Sequence, residues 1–488
     1  METAHGLLTS DGGMLNRSYI GLAAMATVGC ASPVWDWTPS AESAAVGQGN
    51  AAVGQGNIGS SPAEPDAAPT PAPNWWHTHA GVDTSGHDSA VDVAVDPRGR
   101  AIVLARFAGR AFGLLAYEPD GTIAWTNTYR DPLDDADLAT KLAIDTAGNI
   151  YAAGSWERAA SPLGGFLLVA FDSTGALRWS ARSDGGGALS GLAVDGKGHV
   201  VVTGNGSDGT RTLARTIAYD ASGSVAWAAS EPGPFGLGAT GRDVALDANA
   251  NAYVAGESSD GSQNHLTVFA YDATGTRLWT TRNEEDPDHV PQTTAQALAL
   301  DVSGAPHVAF ARAFRTTRDA EPRVTLAVRK YDPTGRAMWT AVVDEATRNI
   351  ATAMAVDSEG RVTVTGFAGN PSPDSYLTVQ LDAAGQLRWT ERYAWEGAGA
   401  HQGRALALDG SGNAYVAGTA YGNDGIARFG SIAYDSSGHV LFRKLDGDSS
   451  NVNSLTAAIA VDRSAALYVV GSVLSIPHGV VGVLRSSR

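Results

Sequence analysis

Val95-Asp96-Pro97-Arg98-Gly99, Ile144-Asp145-Thr146-Ala147-Gly148 and Val194-Asp195-Gly196-Lys197-Gly198 are three copies of one turn. Its Asp recurs at 96, 145, 195, 247, 301, 357, 409 and 462, at intervals of 49 to 56 residues. A second turn runs between these copies, as in Ala270-Tyr271-Asp272-Ala273-Thr274-Gly275-Thr276-Arg277-Leu278-Trp279. Its acid falls at 118 (a Glu), 172, 220, 272, 332, 382 and 435. Gly follows three residues later in every copy. An aromatic follows seven residues later: Trp125, Trp179, Trp227, Trp279, Trp339, Trp389 and Phe442. A fixed internal period of this kind decides the architecture before any local reading does.

Each unit holds four short apolar runs bounded by Asp/Gly turns. In one unit they are the run ending at Leu246, then Ala252-Tyr253-Val254-Ala255, Leu266-Thr267-Val268-Phe269-Ala270-Tyr271 and Thr276-Arg277-Leu278-Trp279-Thr280. Short β-branched and aromatic runs between such turns are strands in tight hairpins. In the turn, the Asp side chain accepts backbone N–H groups two residues on, and Gly takes the positive φ at its end. That local capping accounts for the recurring Asp without any ligand.

Four-stranded units repeated around a ring predict an all-β, eight-bladed β-propeller of antiparallel blades. The first strand is lean, as crowding near an axis requires, and the fourth carries the aromatic that fills the diverging rim. The array begins on a fourth strand at Trp75-Trp76, with Trp76 lying 20 residues before Asp96, and ends on a third strand, Val480-Val481-Gly482-Val483-Leu484. The N-terminal strand is therefore expected to complete the last blade and close the ring. Seven blades is the alternative. Ala250 and Ala465 replace the turn Gly, and Ala105 and Phe310 replace the Gly ending the second strand. Distortion is expected in those units.

The chain has 488 residues and a formal net charge of −17. Such a surface argues against nucleic acid as a partner, because phosphate binding needs Lys and Arg. The single cysteine, Cys30, excludes a disulfide framework and a thiolate metal cage. It follows Met14-Leu15-Asn16-Arg17 and an apolar, small-residue run too short to span a membrane, ending Thr27-Val28-Gly29-Cys30. This resembles the signal and lipobox of bacterial lipoproteins, which implies a signal peptide over 1–29 and lipidation of Cys30. Met14 reads as a more natural start than Met1. Residues 30–73 repeat Ala-Ala-Val-Gly-Gln-Gly-Asn at 44–50 and 51–57 and then turn rich in Pro and Ala. They read as a disordered tether. The propeller domain is expected over 74–488.

Asp247-Ala248-Asn249-Ala250-Asn251-Ala252-Tyr253-Val254-Ala255-Gly256 and Asp409-Gly410-Ser411-Gly412-Asn413-Ala414-Tyr415-Val416-Ala417-Gly418 resemble the beta-propeller repeat (SBBP) of bacterial secreted and cell-surface proteins. The second turn, through Trp279, is similar to the tryptophan-docking repeat of pyrroloquinoline quinone enzymes. That repeat also occurs in the scaffold lipoprotein of the outer-membrane β-barrel assembly machinery. The resemblance implies fold more than function. The quinoprotein reading would need a channel cofactor, Ca²⁺ and, in one type, a vicinal disulfide, which one cysteine forbids. No carboxylate-rich inner strand, zinc spacing, phosphate loop or hydrolase motif is evident. No cofactor and no metal are expected.

The long, variable connections, from strand two to three and from blade to blade, share one face, where function on a rigid scaffold concentrates. Aromatic and Arg candidates placed there are Trp156, Arg158, Arg211, His265, Arg312, Arg315, Tyr376, Tyr393, Trp395, His401 and Tyr421. The sequence thus points to a non-enzymatic propeller, lipid-anchored through Cys30 at the outer membrane or cell surface. It would bind a protein or glycan through that face. The alternatives are a secreted or periplasmic form, and a propeller hydrolase, lyase or quinone-dependent dehydrogenase acting at the channel. A channel lined only by Ala, Val and backbone would exclude the enzyme.

Overall fold

A computed structural model describes residues 74–488, except 81–86, 108–110, 133–135, 159–160, 186, 283–291, 315–322, 371–373, 448–451, 475–478 and 487–488. The leader, Cys30 and the tether lie outside the described residues. Among the described residues, 32 strands form eight four-stranded antiparallel blades. Blades 5 and 6 are merged into one sheet by a single parallel bridge, Val324 to Arg348. In blade 4 the strands are Ala239–Leu246, Ala252–Ser259, Asn264–Tyr271 and Arg277–Arg282. First strands pack on first strands all the way round, blade 8 against blade 1 included, so they surround the axis.

The ring closes as the repeat count requires. Blade 8 consists of Ser454–Val461, Leu467–Val473, Val480–Ser486 and, from the other end of the chain, Trp75–His79. The last two pair antiparallel, with Trp75 opposite Arg485 and Trp76 opposite Leu484. Trp279 stands opposite Ala270 in the same register, and both third strands end one residue further on. The rim tryptophan of blade 8 is therefore Trp75, and the 20-residue spacing had pointed to its neighbour.

Rim tryptophans do more than fill a gap. Each lies on the second-turn Gly of the following blade. A Cβ on Gly223 would come within 2.5 Å of Trp179, and one on Gly275 within 2.6 Å of Trp227. In four blades the indole N–H also donates to a carbonyl of the same turn: Trp75 to Pro119 at 3.1 Å, Trp179 to Ala221 at 3.1 Å, Trp279 to Pro333 at 2.8 Å and Trp339 to Ala383 at 3.2 Å. Gly is required there twice over, by φ near +83° at 275 and by the ring. The seventh blade carries Phe442 because its neighbour offers no such turn: the third and fourth strands of blade 8 come from opposite ends of the chain.

First-turn aspartates cap their own turns, as expected. Asp247 Oδ1 accepts the N–H of Asn249 at 2.8 Å and of Asn251 at 2.9 Å, and Oδ2 takes the Asn251 amide at 2.8 Å. Ala250 and Ala465 leave these turns intact by adopting φ of 60° and 61°. A side chain in that region costs about 1 kcal/mol. Ala250→Gly should therefore raise stability by about 1 kcal/mol, read as a higher urea midpoint; an unchanged midpoint would mean the turn carries no strain.

Four of these turns hold a buried tyrosine six residues on, at 151, 253, 415 and 468. Tyr151, Tyr253 and Tyr415 donate to Oδ2 of Asp145, Asp247 and Asp409 at 3.0, 3.3 and 3.1 Å. Blade 5 has His307 instead, fully buried against Trp339, its Nδ1–H donating to Ala305 O at 3.1 Å. Burial, helped by nearby Lys330, pushes its pKa down to about 4. The folded state resists a proton that the unfolded chain takes up near pH 6.5. Stability from this group is present above pH 6.5 and lost as pH falls toward 4. That amounts to about 2 kcal/mol between pH 7 and 5. His307→Tyr should lose that much less on acidification, measured as the difference in urea midpoints at the two pH values.

Candidate functional site

Stacked by blade, the inner strands share one pattern. Val91-Asp92-Val93-Ala94 of blade 1 aligns with Thr140-Lys141-Leu142-Ala143, Ser190-Gly191-Leu192-Ala193 and Arg242-Asp243-Val244-Ala245. Next come Gln296-Ala297-Leu298-Ala299, Thr352-Ala353-Met354-Ala355, Arg404-Ala405-Leu406-Ala407 and Ala457-Ala458-Ile459-Ala460. The fourth position is Ala in every blade, and each of these alanines packs on the next blade. Toward the tight turns the inner strands are thus small and apolar, as converging backbones demand.

Toward the loop face the wall changes character. A β-bulge interrupts the pairing of all eight first strands at the same level. A bulge re-aims a side chain and is a built feature. The bulged residues are Val91, Thr140, Ser190, Arg242, Gln296, Thr352, Arg404 and Ala457. Six of the eight are polar.

The layer beside the bulges holds charge. Asp92 accepts the N–H of Val93 and, across the blade boundary, of Leu142, both at 2.9 Å. Asp243 does the same with Val244 at 3.0 Å and Leu298 at 2.9 Å. Each carboxylate therefore joins two neighbouring inner edges. Burial pushes the Asp243 carboxyl up to about 6, opposed by the positive charge of Lys141 and by these N–H groups. Lys141 is itself buried. These are inner-strand carboxylates where the sequence showed no carboxylate-rich strand. Both oxygens of each are occupied by backbone, which is a structural role. Among the described residues no cluster of three or more His, Cys, Asp or Glu could hold a metal ion.

Both bulge arginines are held from behind. Arg242 Nε lies 3.2 and 3.0 Å from the Glu257 oxygens, and Thr240 donates to Glu257 at 2.6 Å. Arg404 Nη2 donates to Gln402 Oε1 at 3.1 Å. The Gln402 amide donates to Asp374 at 2.9 Å, and Asp374 also receives Arg348 at 2.5 Å.

The loop candidates fare unevenly. Trp156, His265, Arg312, Tyr376, Tyr393 and Tyr421 lie in strands rather than loops, because the strands run further toward this face than their alternation suggested. Tyr376 is fully buried and donates to Gly430 O at 3.1 Å. Trp156 is buried, donates to Ser183 O at 3.1 Å and lies under Arg182, 4.0 Å from the ring centre. His265 is buried and paired with Asp260 at 2.7 Å. His401 is buried in the loop before blade 7, with Nδ1 accepting the Tyr421 N–H and Nε2 donating to Gly397 O. Tyr393 meets Trp395 edge-on at 5.0 Å and carries Arg443 on its face. Arg211 is the exposed one, tied to Asp208 and to the blade-4 loop at Gly236. Arg158 ends the strand Ile150–Arg158; its side chain lies outside the described residues, as does Arg315. Asp131 is buried against Arg182 at 2.6 Å.

The repeat family described as outer membrane protein assembly factor BamB matches residues 110–261, within blades 1 to 4. The chain is a β-propeller repeat protein. No curated protein matches it. Among solved structures, the β-propeller domain of the Trilobed protease from Pyrococcus furiosus, described as having an open velcro topology, is 10% identical, with 75% of this chain and 97% of that chain covered at a TM-score of 0.44. An ulvan lyase, a polysaccharide lyase, is 11% identical over 74% and 94% at 0.43. Regucalcin from Agrobacterium tumefaciens is 17% identical over 62% and 91% at 0.31.

Proposed function

We propose that this propeller is a non-enzymatic binding module of the bacterial envelope, held at the outer membrane by a lipid on Cys30. It takes a protein or glycan through its loop face and the adjoining channel mouth. One observation carries the binding reading. Polar bulge residues gather at the loop end of the inner strands, while the turn end is alanine and self-capped turns. The bulge level offers side-chain hydrogen-bonding groups that the alanine layer of the same strands lacks. The BamB repeat match supports an envelope setting. Against the enzyme, the inner carboxylates Asp92 and Asp243 have their oxygens committed to backbone N–H groups.

Two experiments test the reading. The wild-type chain should carry diacylglycerol and sediment with membranes, while Cys30→Ala stays soluble; two soluble, unmodified proteins would refute the anchor. A photocrosslinking residue at Arg211, on the loop face, should yield adducts in cells, and one at Asn249, on the turn face, should not. Adducts from Asn249 alone would place the partner on the wrong side.

A further inference from the structure

We propose that the outer strand of blade 5, Ala337–Val343, is a pairing edge for a second copy of this chain, joined antiparallel across a two-fold axis at Thr340. The contact goes beyond the binding-module reading and uses neither the loop face nor the channel mouth.

This strand pairs with Arg323–Tyr331 on one side and, among the described residues, with no strand on the other. Its inner pairing is regular from Trp339 to Val343 and skips Met338. An open row of N–H and C=O groups is a template for another strand, and folds commonly guard it with charge. Five of the eight outer strands carry Arg, Lys, Asp or Glu. Ala337-Met338-Trp339-Thr340-Ala341-Val342-Val343 carries none. Met338 is 59% exposed and Val342 49%, and no other outer strand exposes a large apolar residue at both ends. The outer strand of blade 1, Ile123–Tyr129, is also uncharged, but it has Thr128 where blade 5 has Val342.

The residues themselves say what covers this edge. A two-fold contact is self-complementary, so each pair across it occurs twice. With Thr340 on the axis, Met338 faces Val342 of the second copy and Trp339 faces Ala341. Just outside the strand, Arg336 faces Asp344, and both are exposed. Asp344 already meets Arg323 at 2.7 Å in an exposed pair, and a carboxylate has room for a second donor. The Thr340 hydroxyl accepts from Arg329 at 2.8 Å, which fixes it beside the axis.

The same register fails on the other blades. It would set Arg178 against Arg182 on blade 2, Arg388 against Arg392 on blade 6, and Arg443 against itself on blade 7. Like charges directly opposite destabilise a strand pair. Within four residues of the axis, blade 5 alone sets opposite charges against each other. Antiparallel pairing turns one copy over, so the loop face of each lies beside the turn face of the other and both stay open.

The test uses the full chain with Cys30→Ala, which removes its single thiol. Residues opposed in an antiparallel pair have Cα atoms about 4.5–5.5 Å apart, inside the range of about 4.4–6.8 Å that a disulfide spans. Mild oxidation of Thr340→Cys should therefore give a covalent dimer. Thr126→Cys, the same place on blade 1, should stay monomeric. Sedimentation velocity without these cysteines should show a dimer fraction that rises with concentration. Asp344→Arg should weaken dimerisation at least about tenfold, because two attractive pairs become repulsive. Adding Arg336→Asp should restore it. The internal pair with Arg323 stays broken in that double variant, so restoration reports the contact between copies. Val342→Lys should give a monomer with an unchanged thermal midpoint, since the side chain it replaces is exposed. A chain that is monomeric at every concentration and forms no Thr340→Cys dimer overturns the proposal. So does a dimer that Val342→Lys leaves intact, because its contact then lies elsewhere. Neither result bears on the loop face, which the Arg211 crosslink tests separately.

Discussion

Trp75→Ala with Trp76→Ala lowers the stability of the whole ring, by about 5 kcal/mol. Each Trp-to-Ala change in a core costs about 3–5 kcal/mol, and both residues are half-buried, which brings the pair to that figure. Trp75 docks on Gly121, donates to Pro119 O and packs on Tyr117 and Tyr468 at 5.3 and 6.2 Å. Trp76 faces the other way, onto Phe429 at 5.2 Å. The two side chains thus fasten the closing strand to blade 1 on one side and blade 7 on the other. The loss is a large share of a domain's ordinary margin of 5–15 kcal/mol. Urea unfolding followed by circular dichroism should show the midpoint falling together for all blades. A midpoint unmoved by the double substitution would mean the seam adds nothing to stability.

The second large effect is at the bulges. A Cβ added to Gly256 would lie 1.8 Å from Thr240 O and 3.2 Å from Gly241 Cα. Both obstacles are backbone, so no rotamer change relieves them. Gly256→Ala should cost about 3 kcal/mol, at the upper end for overpacking. Gly366, Gly418 and Gly471 face the same carbonyl in their blades, at 1.9 to 2.0 Å. Ala105 and Phe310 occupy this place in blades 1 and 5, fully buried, and the bulge persists there. The cost is therefore one of fit to a particular inner strand, and the thermal midpoint of Gly256→Ala measures it. A change under about 1 kcal/mol would show that the inner strand can shift freely.

The turns were legible because their chemistry is local. An Asp that binds N–H groups two and four residues on, and a Gly at positive φ, are written within five residues. The count of turns then gave eight blades and the closing strand. What depends on pairing was less legible. Trp75 and Trp76 fit the spacing almost equally, and only the register against Arg485 and Leu484 separates them. The inner wall was missed for a related reason. A bulge adds one residue to a strand and shifts the two-residue alternation that tells one face from the other. Arg242, Gln296 and Arg404 therefore look like stray polar residues when each strand is read singly. Stacking the eight inner strands by their shared alanine would have brought them into one column. The loop candidates failed differently. Tyr376 and His401 are residue types that anchor interfaces, but buried tyrosine and histidine also serve a fold when a carbonyl or amide is within reach, as Gly430 O and the Tyr421 N–H are here.

The closing strand begins at Trp75, immediately after the point where residues 1–73 join the propeller. Any pull transmitted through that segment arrives first at the seam between Trp75–His79 and Val480–Ser486, before any covalently continuous blade is loaded. Under tension the ring should yield by peeling one five-residue strand, a short force-bearing contact set beside long hairpins. Its mechanical strength is therefore set by the two tryptophans and the five pairings of that strand, independently of how stable the other seven blades are in solution.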